Sequence, residues 1–189
     1  MMILFDSVPT AVQQAMCTPM HLIIPPSQGY GALYLGSMAA LYERGYLQSH
    51  NVRNVVQVID AAWYPYLETD ELENVYRIDI LDHSSADLKP HLEKACDYID
   101  RLLKSGKNVL VHCQQGISRS TSVVIAYLMR HRHMSYDVAF AFVQQHRACA
   151  NPNSGFVKVL RDSEQAWLQP TITTAKPARS ISAVSKQYV

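Results

Sequence analysis

The stretch from Asn108 to Thr121 constrains the fold of this chain more than any other. It reads Asn-Val-Leu-Val-His-Cys-Gln-Gln-Gly-Ile-Ser-Arg-Ser-Thr. Val109, Leu110 and Val111 are a short apolar run suited to a buried strand, and Ser120 to Met129 is long and apolar enough for a buried helix. Only Cys113 to Arg119 is left to join them. That loop sets a cysteine at the end of a strand and an arginine in the first turn of the next helix. Gly116 lies between them, where a positive φ costs least. Consecutive backbone N–H groups that curl into a helix N-terminus converge on one point and favour a bound phosphate or sulfate. The same field favours a thiolate, and cysteines so placed ionise well below the free value of about 8.5. Cys113 therefore reads as a nucleophile. Arg119 reads as a planar fork able to hold two equatorial oxygens of a phosphoryl group.

The run His112-Cys-Gln-Gln-Gly-Ile-Ser-Arg-Ser120 resembles the His-Cys-x5-Arg-Ser/Thr signature of cysteine-dependent protein tyrosine phosphatases. Its Gly-Ile-Ser-Arg-Ser ending is most similar to the dual-specificity branch, and the chain is identified as a small, atypical member. The resemblance covers roughly residues 28 to 168. It includes Leu33-Tyr-Leu-Gly36, the helix from Ser135 to Gln145, and Asn151-Pro-Asn-Ser-Gly-Phe156, where it implies that Asn153 braces the active-site loop. It also implies that Ser120 donates to the sulfur as it leaves, that His112 orients the loop and helps to keep the cysteine ionised, and that the N–H groups of Gln114, Gln115, Gly116, Ile117, Ser118 and Arg119 bind the phosphate. No metal or cofactor is implied. Gln114-Gln115 departs from the pattern, since relatives commonly carry small residues there.

A leaving alkoxide or phenoxide needs a proton donor. Asp79, Asp82 and Asp87 are the candidates ahead of the long helix. Asp79 falls inside a strand pattern and Asp87 suits a helix cap, whereas Asp82 falls in the loop between them. Asp82 also stands where the resemblance expects the general acid, 31 residues before Cys113. The activity implied is hydrolysis of phosphotyrosine and phosphoserine/threonine in a phosphorylated protein substrate, through a phosphocysteine intermediate. Two other readings stand beside it. Relatives that have lost the cysteine act as phosphoprotein-binding modules, and phosphoinositide-directed relatives usually carry lysines in the loop, where this chain has Gln114, Gln115 and Ile117.

The 189 residues suit one domain with tails: an arm over residues 1–20 without clear periodicity, a catalytic domain over 21–169, and a tail over 170–189 poor in apolar residues and expected to be disordered. A formal net charge of +1 recommends neither nucleic acid nor an anionic membrane as partner. No apolar run approaches the roughly 20 residues of a membrane span. Cys17, Cys96, Cys113 and Cys149 show no zinc or disulfide spacing, so a reduced cytoplasmic or nuclear location is expected.

Met38 to His50 reads as helix despite Gly45; Val52–Ile59 and Val75–Ile80 read as strands, separated by a loop with Trp63, Tyr64, Pro65 and Tyr66. Leu88 to Leu103 has helical spacing, with Gly106 as its stop and Cys96 on the core face. His131 and His133 end the catalytic helix, where cationic side chains suit the dipole; a metal site is not expected, since no carboxylate or third ligand is offered nearby. Ser135 caps a helix through Arg147, and Asn153 caps another through Leu168. Strands alternating with helices predict an α/β domain, with a central, mainly parallel sheet flanked by helices.

Overall fold

The computed structural model describes residues 8–43, 45–60 and 72–168. The elements are α1 (Thr10–Cys17), β1 (Met20–Ile24), β2 (Leu33–Ser37), α2 (Ala39–Tyr42), α3 (Tyr46–Ser49), β3 (Val52–Val58), β4 (Asn74–Ile78), α4 (Lys89–Lys104), β5 (Asn108–Cys113), α5 (Arg119–Arg132), α6 (Tyr136–His146) and α7 (Ser154–Leu168). The strands form one sheet in the order β1-β2-β5-β3-β4. β1 pairs antiparallel with β2, and every other pairing is parallel. The mainly parallel α/β sheet expected from the alternating pattern is present.

β5 lies in the middle, between β2 and β3. A strand buried on both faces must be apolar in both directions, which is what Val109-Leu-Val111 supplies. Val109 and Val111 pack with Leu33, Leu35, Val56 and Val58 against the large core under α4 to α7. Leu110 points the other way, into a smaller cluster with Val52, Val55, Ala40 and Leu47 near α2 and α3. The chain reaches β2 and β3 before returning to fill the place between them, so β5 ends at the point where the strand order reverses. In open α/β sheets, ligands bind in the crevice at the carboxyl end of such strands. Cys113 stands at that end, in register with Ser37 of β2.

α5 runs out of that crevice through the centre of the protein. Every residue from Arg119 to Met129 is buried, which explains why its sequence shows little amphipathic contrast. α4 is the opposite case: Leu92, Ala95, Cys96, Ile99, Leu102 and Leu103 share its buried face. Gly106 follows with φ +75, ending the helix as expected.

Three expectations are corrected. The segment before His21 is not without regular structure, because Thr10–Cys17 is helical and β1 starts at Met20. Met38 to His50 is two short helices, since Gly45 adopts φ +75 at the start of the second and breaks the path between them. Carboxylates do lie near His131: α4 brings Asp97 to 3.0 Å of its Nε2 and Asp100 to 3.6 Å of its Nδ1. Trp63, Tyr64, Pro65, Tyr66 and the segment 170–189 lie outside the described residues.

One glycine sets the spacing of two functional segments. The first turn of α7 abuts the backbone of the loop after Asp82, and a Cβ on Gly155 would collide with the carbonyl of Ser84. The Gly155→Ala variant is therefore expected to lose about 1–3 kcal/mol of stability through overpacking. A urea unfolding curve with an unchanged midpoint would contradict that expectation.

Candidate active site

The loop from Cys113 to Arg119 is defined by where its carbonyls go. Those of Gln114, Gln115, Gly116 and Ile117 all accept from donors outside the loop. Met38 N–H reaches Gln114 at 3.2 Å and Asn151 N–H reaches Ile117 at 2.8 Å. Arg147 serves the two between: its Nη2 donates to Gln115 at 3.0 Å and its Nε to Gly116 at 2.8 Å. In a trans peptide each N–H points opposite to the preceding carbonyl, and the described residues contain no cis bond. Four carbonyls turned outward therefore turn the N–H groups of residues 115 to 118 inward.

Gly116 makes that turn with φ +67. A Cβ there would lie 2.5 Å from the carbonyl of Gly36 and 2.7 Å from Arg147 Nη2, so both conformation and space require glycine. The amides lead into α5, whose N-terminus has no side-chain cap. Its free N–H groups and dipole face the same point.

Cys113 lies at the base of this concavity, 1% exposed. Its Sγ accepts from Gly116 N–H and from Ser120 Oγ, both at 3.2 Å. Arg119 is also buried, and its contacts are long: Nη1 to Ile80 carbonyl at 3.4 Å, Nη2 to Gln114 Oε1 at 3.5 Å, and Nε 3.7 Å from Asp82 Oδ2. Its Nε has no hydrogen-bond partner among the described residues. A buried guanidinium so weakly engaged retains donors for a tetrahedral anion.

Asp82 is drawn onto the same loop. Its Oδ1 accepts from Ser118 Oγ at 2.6 Å and from Asn153 Nδ2 at 2.9 Å. The backbone N–H of Asn153 in turn donates to Ser118 Oγ at 3.1 Å, closing a ring of three residues. Asn153 caps α7 as well, its Oδ1 accepting from Phe156 N–H at 3.0 Å. The cap fixes which end of the amide faces Asp82. Asn153 thus contacts both the loop and Asp82, a wider set of partners than the brace expected of it.

His112 is fully buried. Its Nδ1 contacts the carbonyl of Cys113 at 3.3 Å, whereas Nε2 has no hydrogen-bond partner among the described residues. Burial pushes its pKa down to about 4, so the ring is neutral at physiological pH. A neutral ring there brings no positive charge beside Cys113, and its contact with the structure is through the strand-end carbonyl.

Two residues gain parts that local pattern did not assign. Ser118 entered only as a backbone donor, yet its hydroxyl bridges Asp82 and Asn153. Arg147 was read as a helix end. It is wholly buried, and besides the two loop carbonyls its Nη1 contacts the Thr18 carbonyl at 3.1 Å and His21 Nδ1 at 2.8 Å. Burial lowers its pKa from the usual arginine value. No helical periodicity announces partners 31 and 129 residues away.

With this geometry in hand, comparison with known proteins is direct. Residues 33–166 match the model of the dual specificity phosphatase catalytic domain, and the chain belongs to that family of protein phosphatases. A Dictyostelium discoideum protein, a probable rhodanese domain-containing dual specificity protein phosphatase, is 40% identical over 136 residues. That match covers 70% of this chain and 27% of the relative, so the chain corresponds to about a quarter of the other's length. Dual specificity protein phosphatase 1B of Arabidopsis thaliana is 36% identical over 71% of this chain and 78% of its own. Among solved structures, human DUSP28 superposes with a TM-score of 0.69 at 32% identity, covering 79% of this chain and 95% of that one. The human tyrosine phosphatase-like serine/threonine/tyrosine-interacting protein gives 0.72 at 32% identity, over 80% and 99%.

The neutral state of His112 has a pH signature. An unfolded imidazole takes a proton near pH 6.5, but the folded one resists it down to about 4. Between those values the unfolded chain binds more protons, so stability falls as pH drops through this window. His112 contributes roughly 3 kcal/mol of that loss at the value of one pKa unit. Replacing it in a His112→Leu variant should flatten the dependence, and equal slopes for the two proteins in denaturant titrations between pH 4 and 6.5 would contradict this.

Proposed function

We propose that this protein is a phosphoprotein phosphatase that hydrolyses phosphotyrosine and phosphoserine/threonine through a phosphocysteine intermediate. One observation carries the reading: Cys113, Arg119 and Asp82 meet around a single loop whose amides face inward. In the first step the Cys113 thiolate attacks phosphorus along the axis of the leaving oxygen, forming an S–P bond as the O–P bond breaks. Asp82, protonated at the start, delivers its proton to the leaving oxygen. Inward N–H groups and the Arg119 fork hold the equatorial oxygens where charge spreads, so preorganised electrostatics supplies most of the rate.

In the second step Asp82, now ionised, removes a proton from water as the water oxygen displaces sulfur. Inorganic phosphate leaves and the thiolate returns. Ser120 Oγ, 3.2 Å from Sγ, steadies that returning charge. Ser118 and Asn153 are positioning residues in this scheme, since they hold the carboxyl over the loop without touching phosphorus. The exposed side chains of Gln114 and Gln115 add no positive charge at the mouth, which favours a phosphoprotein over a highly charged inositol phosphate.

A second reading draws on the neighbour described as phosphatase-like and interacting. In that reading the fold binds a phosphoprotein without turning it over. An intact nucleophile with two donors on its sulfur, beside an arginine and a held carboxylate, favours the enzyme.

Two measurements test this. The Cys113→Ser variant should lose turnover of an aryl phosphate while still binding inorganic phosphate; phosphate release equal to that of the wild type would refute the nucleophile. The Asp82→Asn and Asn153→Ala variants should differ by leaving group. Alkyl phosphates need the proton and should slow by about 10²-fold or more, whereas nitrophenyl phosphate, whose leaving group is a weak base, should slow far less. Equal losses on both substrates would remove Asp82 from the acid role.

A further inference from the structure

Among the described residues, a cavity that the mechanism does not use adjoins its loop. It lies against the flank of the phosphate-binding loop and encloses about 440 Å³, within the size range of ligand sites. Val8, Val12 and Met16 form one wall, four residues apart and so on one face of α1 and the turn before it. Ala148 and Cys149, in the segment after α6, face them, and Ile117 of the phosphate-binding loop closes the end. Gln144 and Asn151 are the polar residues of the lining, and among the described residues nothing charged lines it.

Two features tie this cavity to the reacting centre. Ile117 is itself part of the loop, and its carbonyl is held by Asn151, another residue of the lining. In addition, one guanidinium fastens the α1 wall to the loop: Arg147 donates to the carbonyl of Thr18, just past α1, and to those of Gln115 and Gly116. At the other end of α1, Gln13 Nε2 donates to the carbonyl of Val8 at 2.8 Å. The α1 wall and the loop are therefore fastened to each other before any ligand arrives, and filling the cavity requires little reordering.

We propose that this cavity is a substrate subsite for a bulky aliphatic or aromatic side chain flanking the phosphorylated residue. The proposal rests on the phosphatase reading and adds a substrate class to it. Continuity with the loop points to the substrate as occupant, because whatever enters the cavity contacts Ile117 while the loop holds phosphate. The uncharged lining selects an apolar side chain and disfavours aspartate or lysine, which would be desolvated there without a partner. Gln144 Nε2 is committed to the Ala150 carbonyl at 3.1 Å, so Gln144 Oε1 and the Asn151 side chain are the polar groups that can meet peptide groups on either side of that residue.

The test uses the full chain and a set of phosphotyrosine peptides that differ only in carrying leucine, serine or aspartate at each position adjacent to the phosphoresidue. Aryl phosphate serves as a substrate without flanking residues. Wild type should show, at one position, a kcat/KM about tenfold higher for leucine than for serine, as burial of a hydrophobic side chain gives, and lower still for aspartate. Filling the cavity in Ala148→Trp, or charging its wall in Val12→Asp, should bring the leucine-to-serine ratio close to one. That ratio is read within one preparation and does not depend on the fraction folded. Turnover of aryl phosphate with equal rates on all peptides overturns the subsite alone. Equal rates combined with sedimentation as a dimer would give the cavity to a second copy of the chain, and equal rates from a monomer would give it to an apolar small molecule; both overturn the proposal. If wild type releases no phosphate from any substrate, the phosphatase reading fails and the subsite with it.

Discussion

A loop that gathers its amides around an anion must expel its carbonyls, and buried carbonyls need donors. Here that need falls on Arg147. Its side chain is wholly buried behind the loop, donating to two carbonyls of the loop, with a third donation to the arm before β1. Arginine has donors and no acceptor, so its contact with His21 Nδ1 requires that nitrogen to be unprotonated. The low pKa of His21, about 4, follows from its burial and from the neighbouring guanidinium. A single layer of peptide groups thus separates the cation behind the loop from the concavity in front of it.

The carboxylate beside the loop is held by a different device. Asp82 sits in an exposed loop, yet one carboxylate oxygen accepts from two side chains that belong to the catalytic loop and to the cap of α7. α7 can approach because Gly155 has no side chain where Ser84 passes. Capping, close packing and placement of Asp82 are therefore one arrangement. A residue that fixes the start of a helix also fixes a carboxyl beside the loop that follows Cys113.

Much of this was legible from local pattern. β5, the buried α5, the amphipathic α4 and the caps at Ser135 and Asn153 each follow from short-range rules, and all are present. Cysteine at a strand end, glycine in the turn and arginine opening the helix announce an anion cradle before any fold is known. What failed was also local in cause. Residues 10–17 do place Val12, Ala15 and Met16 at helical spacing, but the helix is only eight residues long, too short for the period to stand out. The break at Gly45 was tolerable on propensity alone, and only the route of the chain between β2 and β3 required a left-handed residue there.

The make-up of the loop, then, was written in the order of residues along a strand, a loop and a helix, because Cys113, the loop amides and the Arg119 guanidinium are neighbours in sequence. The supports were decided in three dimensions. Arg147 meets carbonyls 31 and 32 residues away, Asn153 meets an aspartate 71 residues away, and the apolar wall of α1 faces a segment more than a hundred residues later. Such pairings leave no period in a sequence, since hydrogen bonds and packing act over ångströms of space and are indifferent to the length of chain between them.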